Sequence, residues 1–211
     1  VLSRAIVPPQ NFGRHGAVIR IQVVEGYVDQ VIWPVEKLTR YRDFFTDYTA
    51  RITADRPANV RTLERYLLLA NDLPGLKFST TLKPSPTHPN ASILIVEVKE
   101  KMIDTIGRID NRGTPARGPW QYLGSATFNN IAGSHEAFTA TYAGTFQLEE
   151  LQYLQATYRQ VLNSEGLTFF AGASYGIGTP GTALLRSLDY RTRSGIAEAG
   201  LTYPVIRTRE L

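Results

Sequence analysis

Three short patterns in this sequence hold residue types able to do chemistry. Gly172-Ala173-Ser174-Tyr175-Gly176 fits the G-x-S-x-G frame, where a serine on a sharp strand-to-helix turn acts as a nucleophile. In that arrangement an acid and a histidine follow the serine. Here His15, His88 and His135 all precede Ser174, which also sits inside an alternating, strand-like stretch. Gly176-Ile177-Gly178-Thr179-Pro180-Gly181 fits G-x-G-x-x-G, which cradles phosphate only when the loop opens a helix in a βαβ unit. Pro180 disfavours a helical Thr179, Thr182–Leu188 leaves room for a short helix only, and the next strand alternates where a buried parallel strand would be continuously apolar. A hairpin loop is the expectation. The three histidines form no local ligand pattern, and without Cys there is no disulfide, thiolate metal site or cysteine nucleophile. Asn90-Ala91-Ser92 matches a glycosylation frame by pattern alone. The chain is therefore not expected to be an enzyme, and no cofactor or metal is expected.

The elements that carry these patterns matter more. With 211 residues, the chain can form one large domain or two small ones, and 43% hydrophobic against 20% charged residues argues against disorder. The longest apolar run, Tyr66–Ala70, is far short of the roughly 20 residues of a transmembrane helix. Absence of Cys fits an oxidising compartment such as the periplasm. The chain starts at Val1 with no signal-peptide pattern, and the expectation is an internal piece of a longer protein. Residues 1–101 hold 14 Lys/Arg against 10 Asp/Glu and all five Lys, whereas residues 102–211 hold nine of each sign, most of the Gly and seven of the 11 Tyr. That shift predicts a boundary near Met102. The modest surplus, with no dense basic stripe, argues against nucleic acid.

The first half mixes helix and strand. Val18–Val24 and Val28–Trp33 are β-rich runs with a turn expected at Glu25-Gly26. Asn59–Asn71 predicts a helix, with Asn59 as its cap and Val60, Leu63, Leu67 and Ala70 on one face. A shorter helix is expected over Tyr41–Ile52. Leu76, Phe78, Thr80 and Leu82, then Ser92, Leu94, Val96 and Val98, alternate as two strands around the Pro-rich 84–90 connection. The order for residues 28–101 is β-α-α-β-β.

The second half repeats one rhythm: segments of strand length in which small or aromatic residues alternate with polar ones. Trp120, Tyr122, Gly124, Ala126 and Phe128 alternate with Gln121, Leu123, Ser125, Thr127 and Asn129. Phe138, Ala140, Tyr142 and Gly144 alternate with Ala137, Thr139, Thr141, Ala143 and Thr145. Met102–Asp110, Tyr153–Leu162, Leu167–Tyr175 and Ala197–Val205 behave alike, making six strands in hairpin order. A soluble sandwich core would be rich in Val, Ile and Leu. Gly, Ala, Tyr and Phe, with aromatics toward the segment ends, suit strands that face lipid, and the evenly spread Tyr122, Tyr142, Tyr158, Tyr175 and Tyr203 suit an interfacial girdle.

Leu2–Glu25, with Val7-Pro8-Pro9-Gln10 and Val18–Gly26, resembles the end of the first polypeptide-transport-associated (POTRA) domain of two-partner-secretion transporters, the haemolysin activator/secretion family. Tyr27–Lys101 resembles the second POTRA domain, Asp110-Asn111-Arg112-Gly113 with Gly118–Asn130 the first barrel hairpin, and Leu188–Arg191 with Gly200–Arg207 a later strand pair. The order of these loose motifs carries the match. The resemblance implies an α+β POTRA domain (β-α-α-β-β) followed by antiparallel transmembrane β-barrel strands, a partial barrel. The implied divisions are residues 1–26, 27–101 and 102–211. It also implies a bacterial outer-membrane location with the POTRA domain in the periplasm. The family's Val-Arg-Gly-Tyr/Phe loop motif, its plug helix and most of its first POTRA domain are absent from this sequence, which holds six of the family's roughly sixteen barrel strands.

The implied activity is capture of an unfolded exoprotein and its secretion through the barrel, with outer-membrane lipid as the surrounding partner and no nucleotide-driven step. Strand addition at an exposed sheet edge is the physical route. The candidate groove and edge residues are Tyr66, Leu69, Lys77, Phe78, Leu82 and Lys83. Gln121, Thr127, Thr139, Gln155 and Arg159 are the pore-lining candidates. The alternatives are a barrel-assembly factor of the same superfamily, a soluble β-rich binding module and, weakest, a hydrolase using Ser174.

Overall fold

A computed structural model describes residues 3–10 and 18–209, so His15 and Leu2 lie outside the described residues. The chain divides into two compact units, one of Val1–Asp72, Leu76–Lys99 and Val205–Leu211, the other of Leu73–Gly75 and Glu100–Pro204.

The first unit opens with a small ribbon in which β1 (Arg4–Ile6) pairs antiparallel with β2 (Gln22–Val24). Glu25-Gly26 follows β2 directly and joins it to a strand of another sheet. Ser3 Oγ accepts the Gly26 N–H at 3.2 Å, and the Gln10 side chain makes two hydrogen bonds to the Arg20 backbone, which draws this stretch toward β1. Then come β3 (Tyr27–Ile32), two short 3-10 turns, α1 (Arg42–Ala54), α2 (Val60–Asn71), β4 (Leu76–Pro84) and β5 (Ala91–Glu100). The sheet order is β3-β5-β4, with β3 parallel to β5.

Each helix turns one apolar stripe inward. Tyr41, Phe45, Tyr48 and Ile52 recur at helical spacing and are buried, as are Tyr66, Leu69 and Ala70 of α2. The sheet answers with Val28, Val31, Leu76, Leu94, Val96 and Val98. The Trp33 ring packs tilted against Phe45 at 4.5 Å and meets Phe78 edge-on at 5.9 Å. Asn59 caps α2 as its sequence position suggests, accepting the Arg61 N–H at 3.0 Å.

The second unit is a six-stranded antiparallel sheet in sequential order: β6 (Ile103–Asp110), β7 (Gln121–Asn129), β8 (Glu136–Thr145), β9 (Gln152–Val161), β10 (Thr168–Gly178) and β11 (Thr192–Thr202). It is not closed; β6 and β11 are its edges. β11 starts earlier than the Ala197 of the sequence pattern and stops at Thr202, since Pro204 cannot donate to a ladder. The helix α3 (Ala183–Ser187) lies in the β10–β11 connection, and Ser174 sits mid-strand opposite Gln155 and Ile196. The Phe170 ring covers its cross-strand partner Gly200, and a Cβ there would lie 2.7 Å from the ring. Tyr153 and Tyr175 cover their partners Gly176 and Gly195 in the same way, with looser contacts.

Candidate functional site

The register of the six-stranded sheet sorts its side chains into two unlike faces. One carries an unbroken row of directly paired alanines: Ala126, Ala140, Ala156, Ala173 and Ala197, each from a different strand. Aromatic residues flank this row. Phe128, Phe138, Tyr158 and Phe169 lie toward one end of the strands, and Tyr122, Tyr142 and Tyr175 toward the other. Of the large apolar side chains exposed within the strands, Ile103, Ile109, Phe128, Phe138, Tyr142, Leu154, Tyr175, Ile177 and Leu201 are on this face and only Ile106 and Ile196 on the other, among the described residues.

The opposite face is polar and internally hydrogen-bonded. Thr127 Oγ1 meets Thr139 Oγ1 at 2.9 Å, and Ser125 Oγ meets Thr141 Oγ1 at 2.9 Å. Gln121, Thr127, Thr139, Gln155 and Arg159 all fall on this face by register, Gln121 opposite Thr145, Gln155 between Thr141 and Ser174, and Arg159 between Ala137 and Phe170.

The two ends of the sheet differ as well. At one end the connections 130–135 and 162–167 are tight. The buried Glu136 carboxylate accepts N–H groups from Ala132 at 2.6 Å and Ser134 at 2.8 Å, and Asn130 Oδ1 accepts that of His135 at 2.9 Å. At the other end the connections 111–120, 146–151 and 179–191 are fastened to one another. Thr179 N–H donates to the Glu149 carbonyl at 2.7 Å and Gly181 N–H to the Ala116 carbonyl at 2.8 Å. The buried Glu150 carboxylate sits among them, 3.4 Å from an Arg186 nitrogen and against Gly118 and Gly181. Gly118 has φ +84°, and a Cβ on it would stand 2.5 Å from Glu150 Oε2. Gly118→Ala combines a left-handed backbone with that clash, and is expected to destabilise the sheet by about 1–3 kcal/mol, read as a lower thermal unfolding midpoint of the detergent-solubilised chain.

In the first unit, the edge strand β4 carries the other candidates. Tyr66 and Leu69 are buried, and Tyr66 packs 5.9 Å from Tyr48. Helical periodicity identifies an apolar stripe but not what covers it. Phe78 is half-buried against Trp33 and Phe45, while Lys77, Leu82 and Lys83 are exposed. The Phe78 N–H points away from β5 and donates to Asn71 Oδ1 at 2.8 Å. The two-residue period of a strand sends the Thr80 and Leu82 N–H groups the same way. Pro84 then ends the row of donors. The opposite edge, β3, is blunted. Its register skips at Asp29, a β-bulge, and the Asp29 carboxylate is held by His88 Nδ1 at 3.0 Å and Ser85 Oγ at 3.5 Å. Nothing in the sequence flagged Asn71 or Asp29.

The segment after β11 lies along α2. Arg207 forks onto Asp72 with bonds of 2.8 and 2.7 Å, and Arg65 donates to the Val205 carbonyl at 3.3 Å. Hydrogen bonding to Asp72 raises the Arg207 guanidinium above its ordinary value, against the effect of partial burial.

No family model matches this chain. The heme/hemopexin transporter protein HuxB of Haemophilus influenzae (strain 86-028NP) is 21% identical over 210 residues, covering 99% of this chain and 36% of HuxB. Among solved structures, CdiB from Escherichia coli matches with a TM-score of 0.61 at 20% identity, over 99% of this chain and 38% of CdiB. The chain thus spans just over a third of the length of each of these relatives. It resembles two-partner-secretion transporters along its length, and its β-rich fold with few helices is that of CdiB.

Proposed function

We propose that this chain is the periplasmic capture unit and first six barrel strands of an outer-membrane translocator that secretes an unfolded exoprotein by two-partner secretion. The observation that carries this reading is the sidedness of the six-stranded sheet. A soluble protein rarely leaves so broad an apolar face uncovered. Here that face has alanines at mid-height and aromatic residues at both ends, the arrangement of a lipid-facing barrel wall, and the other face carries hydrogen-bonded Ser and Thr hydroxyls. The open edges at β6 and β11 call for further strands, because unpaired backbone groups are not tolerated in lipid. Short turns belong to the periplasmic end of such barrels and longer loops to the outer one. That convention puts 130–135 and 162–167 inside, at the same end as the strand start just after β5.

The β-α-α-β-β unit is then a POTRA domain. Its accepting edge is β4, and its window is narrow. The Thr80 and Leu82 donors are open, Asn71 holds the donor before them, and Pro84 supplies none after them. An extended exoprotein segment adding there would gain main-chain hydrogen bonds at Thr80 and Leu82, with Lys77, Phe78 and Lys83 alongside. Gln121, Thr127, Thr139, Gln155 and Arg159 would line the path through the barrel.

Thr80→Pro removes one outward donor without touching the ladder to β5. In cells producing the full-length protein, it is expected to lower the secreted exoprotein in the medium roughly ten-fold, as loss of a main-chain hydrogen bond from a short contact would. The amount of transporter in the outer membrane should stay normal. Unchanged secretion would refute capture at β4. A general loss of outer-membrane proteins would point to barrel assembly.

A further inference from the structure

Within the six strands, two residues with charged side chains fall on the apolar face by register, Glu136 and Arg193. Glu136 is buried in its turn and accepts two backbone N–H groups. Arg193 is exposed and has neither a hydrogen bond nor an ion pair among the described residues. It stands opposite Ile177 and diagonal to Tyr175, both exposed apolar side chains of β10. The register also sets its height. Tyr122, Gly144, Gln152, Ile177 and Arg193 form one row across five strands. At this level the Tyr122 and Tyr142 hydroxyls and the Gln152 side chain bond to one another, which leaves Arg193 as the polar group without a partner. Arg193 is four residues along β11 from Ala197 of the alanine row. At a rise of about 3.3 Å per residue and a tilt of about 40°, that is roughly 10 Å along a barrel axis. The apolar band of a barrel is about 25 Å tall, so a guanidinium on its long stem reaches the rim, where a charge costs little.

We propose that Arg193 binds the phosphate of a lipid headgroup at the rim of the wall, with Tyr175 and Ile177 as the apolar bed for the start of its acyl chain. This rests on the reading of the apolar face as lipid-facing. It concerns the end that carries the long connections 111–120, 146–151 and 179–191. A planar guanidinium takes two phosphate oxygens with parallel bonds, a match that a hydroxyl or an amide does not offer. The lipid is favoured over free phosphate because its acyl chains already hold the anion at this height and cover Tyr175 and Ile177. A free ion gains the one polar contact only. The neighbouring Thr192 and Ser194 face the other way, and Thr192 Oγ1 is taken by the Gly178 carbonyl at 3.0 Å, so on this face the contact depends on Arg193.

The test uses the full-length protein in dodecyl maltoside, with bound lipid counted by native mass spectrometry. The probes are dipalmitoyl phosphatidic acid, the matching diacylglycerol and inorganic phosphate. Phosphatidic acid is expected to bind about ten-fold more tightly than diacylglycerol, the size of one charge-assisted contact. Inorganic phosphate in excess should not displace it. Arg193→Gln should erase the preference while the protein still reaches the outer membrane in normal amount, and Arg193→Lys should keep part of it. Ser194→Asp changes the net charge by the same amount one residue away, on the other face, and should leave the preference intact. Displacement by inorganic phosphate would overturn the proposal in favour of a free anion. Equal binding of the two lipids would overturn it too. So would no effect of Arg193→Gln, the result expected if a carboxylate of a neighbouring strand already holds the guanidinium. Binding of neither lipid would overturn the lipid-facing reading itself, so the two failures are separately visible.

Discussion

Arginine at Ala156 is expected to keep the protein out of the outer membrane, while arginine at Gln155, one residue away, is expected to be tolerated. Ala156 is the centre of the alanine row, paired with Ala140 on one side and Ala173 on the other. If that row lies at mid-bilayer, a guanidinium there costs about 2–4 kcal/mol, a large part of the marginal stability of a folded chain. Gln155 faces the other way, between Thr141 and Ser174, where water can solvate the charge. The measurement is the amount of full-length protein in the outer-membrane fraction and its heat-modifiable migration on gels. Equal behaviour of the two variants would mean that the two faces do not meet different solvents, and would favour a soluble module.

The second large effect is expected at Tyr48→Ala. Tyr48 is fully buried, with ring centroids of Phe45, Tyr66, Phe44 and Trp33 at 5.8, 5.9, 6.3 and 6.5 Å. Truncating an aromatic residue in such a setting costs about 3–5 kcal/mol. A domain of this size has little more than that in reserve. Limited proteolysis of the detergent-solubilised chain should then cut within 42–71 while the fragment carrying β6 to β11 survives. Equal resistance of both regions in the variant would show that the aromatic cluster is not what holds the first unit together.

These expectations come from patterns that the sequence exposes unequally. The extent of α2 was legible because its Asn59 cap is a local signal, but its inward stripe was not: Val60, expected on it, is exposed, while Tyr66 and Leu69 are buried beside Ala70. The six strands were legible because alternation is local too, and a stable pairing of faces follows from it. The partner of a strand is not local. Val18–Val24 carries no local sign of its partner, and in the structure its Gln22–Val24 part pairs with Arg4–Ile6. The same limit applies to Tyr66 and Leu69, whose stripe is covered by this unit's own core. The narrowed β4 edge depends on Asn71, a helix residue whose side chain reaches a strand donor. The fastening of three connections around Glu150 depends on loops that no pattern joins.

Alternation fixes which face a side chain takes but is blind to a slip of two residues, which leaves both faces intact. Phe170 over Gly200 is not blind to it. Sliding β11 by two would bring Glu198 or Thr202 beneath the ring, where Gly200 now leaves space. In a closed ring of strands, accumulated offsets of this kind are the shear, and shear with strand number sets tilt and diameter. In the barrel proposed above, the bore would therefore be written in part into where glycines sit under rings, with Gly200 a calibration mark for it rather than a gap in the wall.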